Sequence, residues 1–194
     1  MRLIGICGRS GCGKSIFGDI LRNKGFLVID CDAVYREMVS APSACLFELE
    51  TAFGADIVVN NSLDRKKLAS IVFVDSEKLA LLNRITHKHI LNRVNELISE
   101  YKESKPIFLD APTLFESGLH DRCELIVSVI ASDEICLERI KQRDGLTDEK
   151  AIQRLNNQKT NEFLIENSDI IIYNEGTAED FETAVITMLE EIIS

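Results

Sequence analysis

The sequence is short of positive charge and has no long apolar run. Its 194 residues carry 22 Lys and Arg against 32 Asp and Glu, a formal net charge of −10. Non-specific binding to nucleic acid depends on clustered cations, so this balance argues against a nucleic-acid partner. No apolar stretch approaches the ~20 residues that cross a bilayer, and no signal segment precedes the first predicted strand. We therefore expect a cytoplasmic protein with no membrane partner.

Paired cysteines and clustered histidines are also missing. The six cysteines are scattered, with no C-x-x-C pair and no Cys/His spacing suited to zinc. They indicate reduced thiols, with Cys7 and Cys136 as small core residues in apolar surroundings. Cys12 lies in a glycine-rich loop, where a thiol is open to oxidation, although the simplest interpretation gives no cysteine a redox role. His87 and His89 do not share a helix face, so polar packing or a substrate contact for His87 is favoured over a metal site.

Apolar runs of buried-strand type alternate with helical patterns along the chain. Five such runs end near Cys7, Asp32, Asp110, Ile130 and Asn174. This alternation predicts one principal domain over 1–194 of the α/β class, a three-layer α/β/α fold on a five-stranded parallel sheet. Over 61–103 the pattern is helical alone, which favours a helical insertion between core segments 1–60 and 104–194. One more pair of packing helices is the alternative there.

The most informative motif is G-x-x-x-x-G-K-S at residues 8–15, directly after an apolar run at 3–7. Glycines at this spacing let backbone N–H groups turn toward a polyphosphate. Lys14 is expected to reach the β- and γ-phosphates, and the Ser15 hydroxyl to ligate Mg²⁺ at the start of the next helix. The predicted ATP-binding residues of this loop are Gly8, Gly11, Cys12, Gly13, Lys14, Ser15 and Ile16.

Carboxylates stand where two predicted strands end. Asp32 is predicted to accept the proton of an attacking hydroxyl, because the carboxyl ends of parallel strands face the ligand crevice. Asp30 either supports Asp32 or Mg²⁺ from the same side of the strand, or caps a helix that starts near Cys31. Asp110 either acts on Mg²⁺ from the second shell or shapes the turn toward Pro112.

Cations gather in the second half of the chain. Arg139 and Arg143 fall four apart on one face of a predicted helix, beside the turn pair Asp144-Gly145. Phosphoryl transfer needs cations that close over the transferring group, so residues 139–160 are predicted to form a lid that supplies both catalytic arginines. A solvated helix face is the alternative for either arginine.

With these residues in hand, the chain resembles the dephospho-CoA kinases, which are similar to the nucleoside-monophosphate kinases. The resemblance is carried by the phosphate loop and by V-I-D-C-D at 28–32, D-A-P-T-L-F-E at 110–116, Glu138-Arg139, Gln142-Arg143-Asp144, Gln158 and the segment 169–176. It departs from the family at three places. Arg9-Ser10 stands where the family has a second glycine and an apolar residue, and Ile16 stands where it has Thr. Thr86-His87-Lys88 replaces a His-Pro pair.

The resemblance implies an activity and several further roles. The activity is the ATP-dependent phosphorylation of the ribose 3′-hydroxyl of dephospho-coenzyme A, with Mg²⁺. The implied roles are Asp32 as catalytic base, Asn174 near the adenine, the coenzyme A domain in 61–103, and substrate contacts from Asp32, Arg65, His87 and Phe115. Monomeric and trimeric forms are both compatible with the sequence.

Two other functions compete with this one. A different small-molecule kinase is the first, since Asp30-x-Asp32 suits shikimate kinase, but the chain has no Gly-Gly-Gly segment for that substrate. A non-enzymatic nucleotide switch is the second, but the chain has neither the N-K-x-D nor the D-x-x-G pattern that guanine-nucleotide switches carry.

Overall fold

The computed structural model describes residues 2–101 and 105–193 of the chain. The chain divides into two compact units, one of Met1–Ile29 and Ser104–Ser194 and the other of Asp30–Glu103. The second unit begins at Asp30, earlier than the boundary predicted at 61. The reason is that the helices over 31–53 pack against the long helix of the insertion.

Five of the strands in the described residues fall at the predicted apolar runs, and two short ones, Val58–Val59 and Ser62–Leu63, do not. Their bounds are β1 (Leu3–Cys7), β2 (Leu27–Asp30), β3 (Val58–Val59), β4 (Ser62–Leu63), β5 (Ile107–Asp110), β6 (Leu125–Ile130) and β7 (Ile170–Tyr173). Five of them form one parallel sheet of order β2-β5-β1-β6-β7. Parallel sheets are buried on both faces, which explains the unbroken apolar runs.

The helices of the described residues complete the three-layer α/β/α fold. Their bounds are α1 (Lys14–Asn23), α2 (Cys31–Ser40), α3 (Ala44–Phe53), α4 (Arg65–Val72), α5 (Ser76–Glu100), α6 (Asp133–Asp144), α7 (Asp148–Asn156), α8 (Asn161–Glu166) and α9 (Ala178–Ile193). In the larger unit, fully buried Phe17 of α1, Ile140 of α6 and Val185 of α9 join one core with β1 and β6.

The second unit has a core of its own, formed by α2 to α5 and the β3–β4 hairpin. Carboxylate and hydroxyl caps start its helices: Ser43 accepts from Leu46 N, Asp64 from Lys67 N, and Asp75 from Glu77 N and Lys78 N. Helix α5 runs through His87 without a break, consistent with the absence of a proline there.

Candidate active site

The phosphate loop joins β1 to α1 as the motif predicts. Gly8, Gly11 and Gly13 have φ of 150°, 81° and 107°, which residues with a Cβ rarely adopt. Packing demands glycine as well, since a Cβ on Gly11 would lie 2.5 Å from the carbonyl oxygen of Cys136. Gly13 is the N-cap of α1 and brings no side chain to its first-turn N–H groups. The start of this helix is therefore available to an anion.

Lys14 and Asp110 form an ion pair at the base of the loop. Lys14 Nζ donates to Asp110 Oδ1 at 2.9 Å, and their side chains are 15% and 13% exposed. The pair forms because β5, which ends at Asp110, lies beside β1 in the sheet. Asp110 therefore holds the lysine ammonium at the loop. Ser15 is exposed in the first turn of α1, and the Ile16 side chain is 54% exposed.

Arg139 and Asn174 support the loop from outside. Arg139 Nη1 donates to the carbonyl oxygens of Gly11, at 3.3 Å, and of Asn174, at 3.2 Å. Asn174 is buried, and its Nδ2 donates to the carbonyl oxygen of Cys12 at 2.8 Å. The C=O and N–H of a trans peptide point in opposite directions, so this bond turns the Gly13 N–H away from Asn174. The two side chains thus fix the loop in a shape that presents N–H groups.

Arg143 lies one turn from Arg139 on α6, as predicted. Arg139 bonds to the phosphate loop, whereas Arg143 bonds to Asp144. Its Nε and Nη2 donate to the two carboxylate oxygens of Asp144, each at 2.8 Å, and Arg154 pairs with Asp144 too. These arginines, Arg143 first, hold the pKa of Asp144 at about 2. Gly145 then ends α6 with a φ of 63°. The predicted lid therefore consists of the end of α6, all of α7 and the residues that follow it.

The prediction that Asp30 and Asp32 share one side of a strand is wrong. Strand β2 ends at Asp30, whose Oδ1 accepts from Ala33 N at 2.8 Å and so caps α2. Asp32 is the second residue of that helix and is exposed. The capping alternative for Asp30 is confirmed, because a carboxylate at an N-cap satisfies a first-turn N–H that has no partner within the helix.

The other predicted substrate contacts lie in separate places. Arg65 is the exposed first residue of α4 and His87 is half-buried on α5, both in the second unit. Phe115 belongs to the larger unit, where its ring packs edge-on against Phe163 at 5.2 Å and near His120 at 5.1 Å. Their roles toward a substrate remain predictions.

Cys12 is not open to oxidation in this structure. It is 1% exposed, and burial raises the pKa of its thiol to about 12. Burial disfavours the alternative in which this thiol is sensitive to oxidation, because the side chain turns into the core behind the loop. Cys7 and Cys136 are buried core residues, as predicted.

The sequence marks Arg9 only as a departure from the family and does not predict its contacts in the fold. Its side chain is 7% exposed and pairs with Asp133, which lies 124 positions away in the sequence. No local pattern could have indicated this partner, because the contact depends on how the loop and α6 meet in the folded chain.

Two kinds of feature are absent from the described residues. In the ranges 2–101 and 105–193, none of the helices combines the length and the hydrophobicity of a membrane span. The same residues contain no group of three or more His, Cys, Asp or Glu side chains placed to hold a metal ion.

A glycine loop between a central parallel strand and a helix, with a lysine held at its base, defines the class of phosphate-loop nucleotide-binding proteins. Comparison with known proteins narrows the class. The family model described as dephospho-CoA kinase matches residues 2–180. The chain belongs to the dephospho-CoA kinase family.

Individual relatives match this chain over nearly its whole length. A dephospho-CoA kinase of Corynebacterium glutamicum is 37% identical, covering 100% of this chain and 98% of its own. Among solved structures, TT1252 from Thermus thermophilus has a TM-score of 0.86 at 32% identity, over 98% of this chain and 97% of that one. A dephospho-CoA kinase from Campylobacter jejuni has a TM-score of 0.74 at 28% identity, over 99% and 98%. The protein is therefore a kinase, with ATP as its co-substrate.

Proposed function

We propose that this protein transfers the γ-phosphoryl group of ATP to the ribose 3′-hydroxyl of dephospho-coenzyme A, giving coenzyme A and ADP. This reaction is the final step of coenzyme A biosynthesis. The observation that carries the proposal is the phosphate loop with its mostly buried Lys14–Asp110 pair, in a chain that matches the dephospho-CoA kinase family over residues 2–180.

The nucleotide phosphates are held by the loop. N–H groups of residues 8–16 surround them, and the ammonium of Lys14 stabilises the negative charge that spreads over the transferring group. Ile16 contributes through its backbone, since its side chain faces outward. Asn174 is near the adenine in this proposal but supports the loop instead of bonding to the base, because its amide already donates to the Cys12 carbonyl oxygen.

The side-chain oxygen atoms near the loop suit a magnesium ion. Mg²⁺ takes oxygen ligands and keeps several waters, so it needs only one or two protein groups besides the phosphates. Ser15 offers an exposed hydroxyl at the start of α1. Asp110 offers a carboxylate that already accepts from Lys14, so it would support the ion through water. Magnesium would supply neutralisation of the phosphate charge.

Asp32 is the proposed base. Its exposed carboxylate accepts the proton of the 3′-hydroxyl while that oxygen bonds to the γ-phosphorus, and the bond to the bridging oxygen breaks to release ADP. Its place directly after β2 supports this role, because ligands of open α/β sheets bind beyond the carboxyl ends of the strands.

The acceptor and the lid involve the remaining predicted residues. Arg65, His87 and Phe115 are each proposed to contact dephospho-coenzyme A. Arg143 is proposed to leave Asp144 and turn to the phosphates when residues 139–160 close. Such a movement would supply a cation only when both substrates are bound.

A panel of acceptors tests the activity. Purified protein is incubated with MgATP and, in separate reactions, dephospho-coenzyme A, shikimate, AMP or no acceptor, and ADP release is measured. We expect turnover that depends on dephospho-coenzyme A and is lost in Lys14→Ala. Turnover with another acceptor, or ADP release independent of any acceptor, would overturn the proposal.

A further inference from the structure

Arg9 connects the phosphate loop to two helices. Its Nη1 donates to the carboxylate of Asp133, in the first turn of α6, and its Nη2 donates to the carbonyl oxygen of Leu155 at 3.2 Å, in the last turn of α7. The Arg9 side chain is 7% exposed and its bond to Leu155 is buried, whereas the Asp133 side chain is 55% exposed. One guanidinium therefore ties the loop to both helices.

The next loop residue adds a second tie. The backbone N–H of Ser10 donates to Gln158 Oε1 at 2.9 Å. Leu155 lies in the last turn of α7, and Gln158 lies within residues 157–160, which join α7 to α8 where the predicted lid ends. Two successive residues of the phosphate loop thus hold the carboxyl end of the lid.

Arg9 and Ser10 contact Asp133, Leu155 and Gln158 at one place, called the joint below, and its charges suit arginine. The last carbonyls of a helix carry partial negative charge and have no partner within the helix, so a cation at Leu155 is favourable. The planar guanidinium serves a carboxylate and a carbonyl together, which a single ammonium on a flexible stem does less well. A neutral side chain at position 9 would leave the α7 carbonyl buried without this donor.

The joint also has room and unused hydrogen-bonding capacity. A cavity of about 450 Å³ lies beside it and is lined by Arg9, Asp133, Gln158, Asn161 and Glu162, among others. Among the described residues, the buried side-chain polar atoms without a hydrogen-bond partner are Arg9 Nε and Asn161 Oδ1, and both residues line this cavity. The joint therefore has a buried donor and a buried acceptor whose hydrogen-bonding capacity its own contacts do not use.

We propose that Arg9 is a positioning residue for nucleotide binding, which couples the shape of the phosphate loop to the position of the lid's carboxyl end at residues 155–158. The proposal rests on the proposed function only in taking a magnesium nucleotide as the loop's ligand. Arg9 acts through the backbone of the loop, so its loss affects the nucleotide and leaves the acceptor alone.

The test compares Arg9→Ala, Arg9→Lys and Asp133→Asn with the matched control Arg22→Ala. Arg22 is an exposed arginine that pairs with Asp19 within α1. Binding of Mg·ADP is measured by calorimetry, and the thermal midpoint and hydrogen exchange over 155–160 are recorded for each variant. The KM values for ATP and for dephospho-coenzyme A are measured for the wild type and for each variant, and are then compared.

For Arg9→Ala we expect the Kd for Mg·ADP and the KM for ATP to rise about tenfold, the order of one lost charge-assisted contact. Hydrogen exchange over 155–160 should speed up, and the KM for dephospho-coenzyme A should not change. Arg9→Lys and Asp133→Asn should give smaller changes of the same kind, and Arg22→Ala none.

An unchanged Mg·ADP affinity in Arg9→Ala would overturn the role of Arg9. If the thermal midpoint fell while the affinity stayed the same, Arg9 would be a packing residue. If Arg9→Ala does not fold, Arg9→Lys and Asp133→Asn decide by the same affinity measurement. Because Mg·ADP binding needs no acceptor, a wild-type protein inactive on dephospho-coenzyme A would end the proposed function without affecting this test.

Discussion

Lys14 Nζ lies 2.9 Å from Asp110 Oδ1, and both side chains are mostly buried at the base of the phosphate loop. The lysine at the centre of the motif is thus held in place by a carboxylate 96 positions further along the chain. Partly buried charges of this kind depend on each other, because removing one leaves the other desolvated and unpaired.

Replacing Asp110 should therefore cost both stability and activity. Asp110→Ala is expected to lower the free energy of unfolding by about 3 kcal/mol, the usual cost of breaking a buried pair, and to lower kcat because the ammonium is no longer positioned. Urea unfolding and steady-state kinetics measure the two effects. Asp19→Ala, which breaks the exposed pair with Arg22, is the control and should change stability by less than about 1 kcal/mol. Equal effects of the two substitutions would refute this account of the pair.

The bond from Asn174 to the Cys12 carbonyl oxygen predicts an effect on nucleotide binding. Asn174→Ala leaves that carbonyl without its donor and relaxes the loop, so the KM for ATP should rise about tenfold, as expected for a buried hydrogen bond of ~1–2 kcal/mol. The control is Asn167→Ala, which removes an exposed bond to the Phe163 carbonyl oxygen. An unchanged KM for ATP in Asn174→Ala would show that the loop keeps its shape without this support.

Burial of Cys12 predicts a pH dependence. The folded-state pKa of about 12 exceeds the ordinary thiol value, so the neutral thiol is favoured in the folded protein. The stability linked to this group is fully present below the unfolded pKa of about 8.5 and is lost as the pH rises toward 12. Between pH 8 and pH 10.5 the urea midpoint of the wild type should fall more than that of Cys12→Ala. Equal losses would mean that the Cys12 thiol titrates normally.

Rapid alkylation of Cys12 in the folded protein at pH 8 would contradict the same account. Iodoacetamide should modify this residue only after unfolding, because its thiol is both 1% exposed and protonated. Mass spectrometry of peptides after a short reaction measures this directly.

Asp32→Asn separates chemistry from binding. The amide keeps the shape of the side chain but cannot accept the proton, so kcat should fall about a hundredfold or more while the KM for dephospho-coenzyme A changes little. Asp30→Ala is the control, because it removes the cap of α2 and should cost about 1 kcal/mol of stability with a smaller effect on kcat. A change confined to KM would make Asp32 a binding residue.

The parts of the fold that the sequence predicts are those with local causes. The strands of the main sheet are visible as apolar runs because parallel strands are buried on both faces. The phosphate loop is visible because its shape demands glycine at fixed spacing. Asp75 and Ser132 cap α5 and α6, and a cap of this kind also has a local cause, because it needs only one short polar side chain.

The parts that the sequence did not reveal have short or distant causes. Strands β3 and β4 have two residues each, too few for a periodic pattern. Their turn is formed by Asn60 and Asn61 with φ of 50° and 62°, which asparagine tolerates better than most residues. The sequence does not predict helix α3 or a unit boundary at Asp30. Both depend on packing of α2 and α3 against α5, which is far along the chain.

The same distinction applies to the site. The loop and the candidate base are recognisable from neighbouring residues, but the partners that hold the loop are not. Gly11 and Arg139 are 128 positions apart, and the bond between them exists only in the folded chain. The supporting roles of Arg9, Asp110 and Asn174 therefore came from the structure.

The position of the new phosphate tests the central claim most directly. Wild-type protein is incubated with MgATP and dephospho-coenzyme A, and the product is examined by ³¹P NMR and mass spectrometry, with Lys14→Ala as the inactive control. The account predicts one added phosphate, on the ribose 3′-hydroxyl, in equal amount to the ADP formed. Phosphate at another hydroxyl, or ADP formed without a phosphorylated product, would contradict it.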